Sequence, residues 1–122
     1  GSGCLVRAVE PLEGVEVRRE LREAGRAGKA HTGHAGKEQV ERARKHPLKL
    51  RDLTNGPGKV CAALGIDKEL YGHELTVEPL VLEFAPLLPG ETIGCSPRVG
   101  ISKNADAPKR FFIEGNAFVS RA

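Results

Sequence analysis

The chain has 122 residues, 39% hydrophobic and 29% charged, with a net charge of +3. That length fits one small domain able to bury a core of its own, and it is too short for two. No apolar run is long enough to span a membrane, and no signal-peptide pattern opens the sequence.

In chain order, Leu5-Val6-Arg7-Ala8-Val9 reads as a short apolar strand interrupted by Arg7, an arginine that is either a snorkelling edge residue or a buried functional cation. Glu10 to Gly14 turns the chain. Val15 to Ala24 has helical composition with a partial apolar face of Val15, Val17 and Leu21, and Gly25 is a plausible stop. From Arg26 to His46 the sequence is poor in hydrophobic residues, so Arg26 to Gly36 reads as a mobile surface insertion and Lys37 to Lys45 as a short charged helix ended by Pro47. Between Arg18 and Asp52, eleven Lys or Arg stand against five acids; with +3 overall, this segment carries +6 and the remainder −3. Such asymmetry suits an acidic polymer as partner, and it equally suits a solvated charged surface.

Leu48 to Leu53 re-enters the fold before Thr54-Asn55-Gly56-Pro57-Gly58-Lys59, which reads as a helix start. Asn55 can cap, Pro57 suits the first turn, Gly56 and Gly58 leave backbone N–H groups accessible, and Lys59 adds a cation. The pattern fits a phosphate, and on the motif alone a well-capped helix is the simpler reading. The helix runs from Pro57 to Leu64 with Gly65 as its C-cap, and the exit through Ile66-Asp67-Lys68 would bring Lys68 toward the same anion. The last third is β-rich: a strand over Pro79 to Phe84, a turn over Pro86 to Glu91, one or two extended pieces between Thr92 and Ile101, a loop from Asn104 to Lys109, and a strand from Arg110 to Ile113. The elements do not alternate as βαβ, which points to an α+β partial domain with a mainly antiparallel sheet or open barrel and a few short helices.

Cys4, Cys61 and Cys95 are odd in number and widely spaced, which argues against a disulfide framework and a zinc site and for a reducing, intracellular setting. His31 and His34 sit in Gly/Ala/Lys-rich sequence without a cysteine or carboxylate close by, so a loop is favoured over a metal site. No Walker loop, HExxH motif or Ser-His-Asp arrangement with supporting context is present. Glu10 and Glu13 could divide acid and base roles, although their place around a proline turn favours helix capping. The sequence has no methionine and opens Gly1-Ser2-Gly3, the pattern of a fragment, a processed product or a chain carrying a short cloning scar.

Three stretches taken in order carry a family resemblance: Leu5 to Gly14; Leu53 to Lys59 with Ala63-Leu64-Gly65-Ile66-Asp67; and Ser96-Pro97-Arg98-Val99-Gly100-Ile101 with Arg110-Phe111-Phe112. Together they resemble the C-terminal half of the alkyladenine (3-methyladenine) DNA glycosylases. The closing Gly115 to Ser120 is similar to that family's terminal segment, with Ala117 where proline is usual. The whole of 1–122 is thereby identified as the C-terminal portion of a single glycosylase domain, with a flexible insertion at 26–46.

The resemblance implies a monomeric base-excision repair enzyme. Such an enzyme flips a damaged purine out of double-stranded DNA and hydrolyses its N-glycosidic bond with one water and neither metal nor cofactor. It acts in the nucleus of a eukaryote or the cytoplasm of a bacterium. By motif position, Arg7 and the carbonyl of Val99 would hold the attacking water, and Gly58, Lys59 and Lys68 would contact DNA phosphates. In the family, the carboxylate base, the aromatic residues that sandwich the flipped base and the tyrosine that fills the gap precede the strand arginine. Here only Gly1 to Val6 precede it, so the chain alone is expected to be inactive or incompletely folded. Two rivals stand beside that expectation: a non-catalytic DNA-binding module using the Gly56-Pro57-Gly58-Lys59 clamp, and a small barrel-like domain whose turn serves RNA or packing.

Overall fold

The computed structural model describes residues 2–32 and 48–119, with residues 26–32 described by their backbone alone. Two compact units divide the chain, Gly1–Tyr71 and Gly72–Ala122. Among the described residues, the first holds two α-helices and the second a two-stranded antiparallel sheet, so the chain is α+β as its sequence indicates.

In the first unit, helix α1 spans Val15–Thr32. Glu16 sits in its first turn, where a carboxylate complements the helix dipole. The Arg18 guanidinium donates back to the carbonyl of Glu13. The expected stop at Gly25 is not used, and the backbone stays helical through residues 26–32. A glycine inside a helix costs roughly 1 kcal/mol relative to alanine, and Ala24, Arg26, Ala27, Lys29 and Ala30 are all good helix formers that carry the helix through it. His31 therefore lies on helical backbone, while His34 and the helix expected over Lys37 to Lys45 lie outside the described residues.

Two arginines of α1 hold the returning chain: Arg19 Nη1 donates to the Leu48 carbonyl at 3.1 Å, and Arg22 Nη2 reaches the Asp52 carbonyl at 3.4 Å. A 3-10 turn at Leu50–Asp52 then leads into Leu53 and Thr54, both fully buried. A buried hydroxyl needs a partner. Thr54 Oγ1 donates to the Val9 carbonyl at 2.5 Å, and Val9 N–H donates to the Thr54 carbonyl at 3.2 Å.

This pair of bonds ties the N-terminal segment to the rest of the unit, and it replaces the strand expected over Leu5 to Val9. Those residues form no strand, because the segment is joined to its neighbour at Val9 and not along a ladder. Helix α2, Pro57–Leu64, buries Val60 and Ala63, three residues apart on one face, and packs against α1. It ends as expected at Gly65, whose φ of +66° is the left-handed conformation in which glycine carries no steric penalty.

In the second unit, β1 (Ile93–Ser96) pairs with β2 (Arg110–Ile113) in the register Ile93 to Ile113, Gly94 to Phe112, Cys95 to Phe111 and Ser96 to Arg110. Alternation along each strand sorts these residues onto two faces. On one, the Phe112 ring lies over Gly94, the Arg110 guanidinium stacks on that ring at 4.8 Å, and Arg110 Nη1 donates to Ser96 Oγ at 3.2 Å. Gly94 is required there: a Cβ would stand 2.7 Å from the Phe112 ring. The other face carries Ile93, Cys95, Phe111 and Ile113.

The strand expected over Pro79 to Phe84 is absent. Proline cannot donate to a ladder, and Pro79 and Pro86 bracket the segment. A backbone bond from Leu82 N–H to the Leu75 carbonyl at 2.8 Å and a bond between His73 Nε2 and the Leu80 carbonyl at 2.9 Å hold it instead. The turn near Glu91 and the loop from Asn104 to Lys109 fall where the sequence puts them. Glu91 N–H donates to the Leu88 carbonyl at 3.0 Å and Ala107 N–H to the Asn104 carbonyl at 3.2 Å.

Candidate functional site

The start of α2 opens onto a cavity of about 360 Å³, lined by Arg22 and Gly25 of α1 and by Gly56, Pro57, Gly58, Lys59 and Ala62. Pro57 opens the helix as expected. Asn55, expected to cap it, does not. The capping position falls on Gly56, in extended backbone, which has no side chain to cap the helix.

Asn55 is engaged elsewhere: its Nδ2 donates to Asp52 Oδ1 at 3.2 Å, and its Oδ1 accepts from Lys59 Nζ at 2.6 Å. The side chain that sequence assigns to the backbone thus orients the lysine. Gly58 is exposed, and a Cβ there would meet nothing within 4 Å. First-turn N–H groups, the positive end of a helix dipole and two cations form an arrangement that can hold an oxyanion.

Arg22 is a lining residue that the sequence reading does not single out. The available signal was its spacing, three residues after Arg19 on a helix whose basic residues outnumber its acids. Gly58 and Lys59, neighbours in sequence, both line the cavity. Lys68 belongs to the same unit but stands outside the cavity lining, in a 3-10 turn at Lys68–Leu70 capped by Asp67, which accepts from Glu69 N–H at 2.9 Å.

Arg7 is half-buried in the N-terminal segment of the first unit, two residues before the Val9 clamp. Val99 is half-buried in the second unit, beyond β1. Its neighbour Arg98 donates to the carbonyls of Lys103 and Asn104 at 3.1 and 3.2 Å, fixing the bend around it. Among the described residues no group of three or more His, Cys, Asp or Glu could hold a metal ion, and no helix is long and apolar enough to cross a membrane.

Fold and cavity together define an α+β protein with a cationic cleft at a helix start. The family model for methylpurine-DNA glycosylase matches residues 1–117. A protein of Mesorhizobium japonicum named "Putative 3-methyladenine DNA glycosylase" is 41% identical over 121 residues, covering 98% of this chain and 47% of its own length. Proteins of the same name from Chlorobaculum parvum and Nitrosospira multiformis are 41% and 36% identical, covering 95% and 99% of this chain and 44% and 50% of their own lengths. The chain belongs to the methylpurine-DNA glycosylase family. It spans about half the length of the curated relatives it matches.

Proposed function

We propose that the chain is the C-terminal part of a base-excision repair glycosylase that releases 3-methyladenine and related damaged purines from double-stranded DNA, acting as a monomer inside the cell without metal or cofactor. The observation that carries this reading is the family match over 1–117. A base stacked in a duplex cannot be reached by a water at its sugar carbon, so the nucleotide is turned out of the helix before reaction. Water then attacks the sugar C1′ and gives up a proton to a carboxylate. The bond from C1′ to the base nitrogen breaks with its electrons passing to the leaving purine.

Arg7 and the Val99 carbonyl orient that water, the first by its positive charge and the second by accepting a hydrogen bond. The carboxylate base and the walls of the purine pocket come from a preceding half of the domain. At the α2 start, Gly58 and Lys59, with Arg22 beside them, take a DNA phosphate, and Lys68 contacts the backbone outside the cavity.

The test is excision of 3-methyladenine from duplex DNA by this chain alone and by the chain joined to the complementary half of the Mesorhizobium japonicum relative. The expected result is release by the joined protein, lost with Arg7→Ala, and none by the chain alone. Full activity of the chain alone would overturn the division of labour, and an inactive joined protein of sound fold would overturn the glycosylase reading.

A second reading, a DNA-binding module without catalysis, draws on the cavity being complete within the first unit. Salt-sensitive DNA binding by the chain, coupled with an inactive joined protein, would favour it.

A further inference from the structure

The two faces of the β1–β2 ribbon are not equivalent. Arg110, Phe112, Gly94 and Ser96 close one of them by stacking and hydrogen bonding. The other holds Ile93, Cys95, Phe111 and Ile113, with no charged residue, and leaves Ile93 61% and Phe111 71% exposed. A ribbon of two four-residue strands is marginal unless a face is packed against something apolar. Among the described residues of this unit, Gly94 alone is buried.

We propose that this apolar face is the docking surface for the half of the family domain that the chain does not match, a statement that rests on the chain being part of a glycosylase domain. Two observations select that occupant. The relatives carry as much sequence again outside the matched region, since the chain covers 44–50% of their lengths. A face of isoleucines, phenylalanine and cysteine cannot recognise a polyanion, so the DNA that suits the α2 cleft does not suit the ribbon. The occupant therefore presents apolar side chains of its own and covers Ile93 and Phe111 as a domain core does.

The test produces the unmatched half of the Mesorhizobium japonicum relative as a separate polypeptide and measures its binding to the whole chain by sedimentation, without DNA. Three forms of the chain are compared: unaltered, with Ile93→Thr and Phe111→Thr together, and with Leu12→Ser, which removes a residue 85% exposed in the first unit. Threonine keeps the β-propensity of the ribbon. Slow exchange of the Glu114 amide, which donates to Thr92 across the ribbon, verifies that it persists.

The expected result is a one-to-one complex, weakened at least tenfold by the double substitution and unchanged by Leu12→Ser. No complex, equal binding by all three forms, or a homodimer of the chain alone that the double substitution dissolves would overturn the proposal, the last by assigning the face to a second copy. Because binding is read without DNA, a complex that forms yet excises nothing leaves the docking surface standing and removes the glycosylase reading. A complex that excises equally well with and without the double substitution does the reverse.

Discussion

The two units are held together by different means. In Gly1–Tyr71, Leu53, Thr54, Val60 and Ala63 are buried, and two helices pack around them. In Gly72–Ala122, cohesion comes from the hydrogen bonds of a short ribbon and a stacked Arg110–Phe112 pair, while large apolar side chains such as Phe84, Leu82 and Phe111 face outward at 96%, 72% and 71% exposure. Only the first unit has a core of its own among the described residues. The first unit buries a small core beside its half-buried and exposed cleft residues, and the second leaves its large apolar side chains outward.

Removing one large side chain from each unit should separate them most strongly. Leu53→Ala empties a site with no solvent exposure and is expected to cost about 2–5 kcal/mol, read as a shift of the urea midpoint. Phe111→Ala, at 71% exposure, should cost within about 0.5 kcal/mol in the isolated chain. Equal losses would mean that the second unit has a core in solution.

Next in size is Gly94→Ala. A methyl group would overlap the Phe112 ring at 2.7 Å and the Glu114 Cγ at 2.9 Å, so the ring must leave its place under Arg110. Overpacking of this kind costs about 1–3 kcal/mol. Faster hydrogen exchange confined to the ribbon amides, Glu114 included, is the expected sign, whereas a shift of the global midpoint with uniform exchange would show that the two units melt together.

Thr54→Val follows. It keeps the volume and removes the donor to the Val9 carbonyl, leaving that acceptor with less than it had, at about 1–2 kcal/mol. Proteolysis in the N-terminal segment should quicken first, since Val9 and Thr54 hold that segment through both of their bonds.

How much of this was legible in sequence depended on whether the signal was local. Helix α2 was readable to the residue, because Pro57 and Gly65 act on their own backbone. The β2 position was readable from a short β-prone run, while β1 was bounded only as an extended piece between Thr92 and Ile101. Gly25 misled, since Arg26, Ala27, Lys29 and Ala30 after it are good helix formers that carry the helix through. Leu5 to Val9 and Pro79 to Phe84 misled for a non-local reason: their apolar content suits a strand, but a strand needs a neighbour along its length, and no sequence pattern supplies one. The site divides in the same way. Gly58 and Lys59 were readable as a motif, whereas Arg22 enters from a helix far away in sequence, and Asn55 gives up capping for Asp52 and Lys59.

The smallest effect on stability, and the one that tests the cleft directly, belongs to Lys59→Ala. The Nζ bond to Asn55 is only partly buried, so losing it should move the urea midpoint by no more than about 1 kcal/mol. Affinity for a duplex is a different matter, because each phosphate neutralised by a cation contributes about 0.9 to the slope of log K against log salt. Lys59→Ala and Arg22→Ala should each lower that slope by about one if both cations meet phosphates. Asn55→Ala then separates placement from charge. It removes the oxygen that holds Lys59 without removing the lysine, so the slope should stay near its original value while affinity at fixed salt falls. A slope unchanged in Lys59→Ala would take the α2 start out of the DNA interface and return it to the packing of a well-started helix.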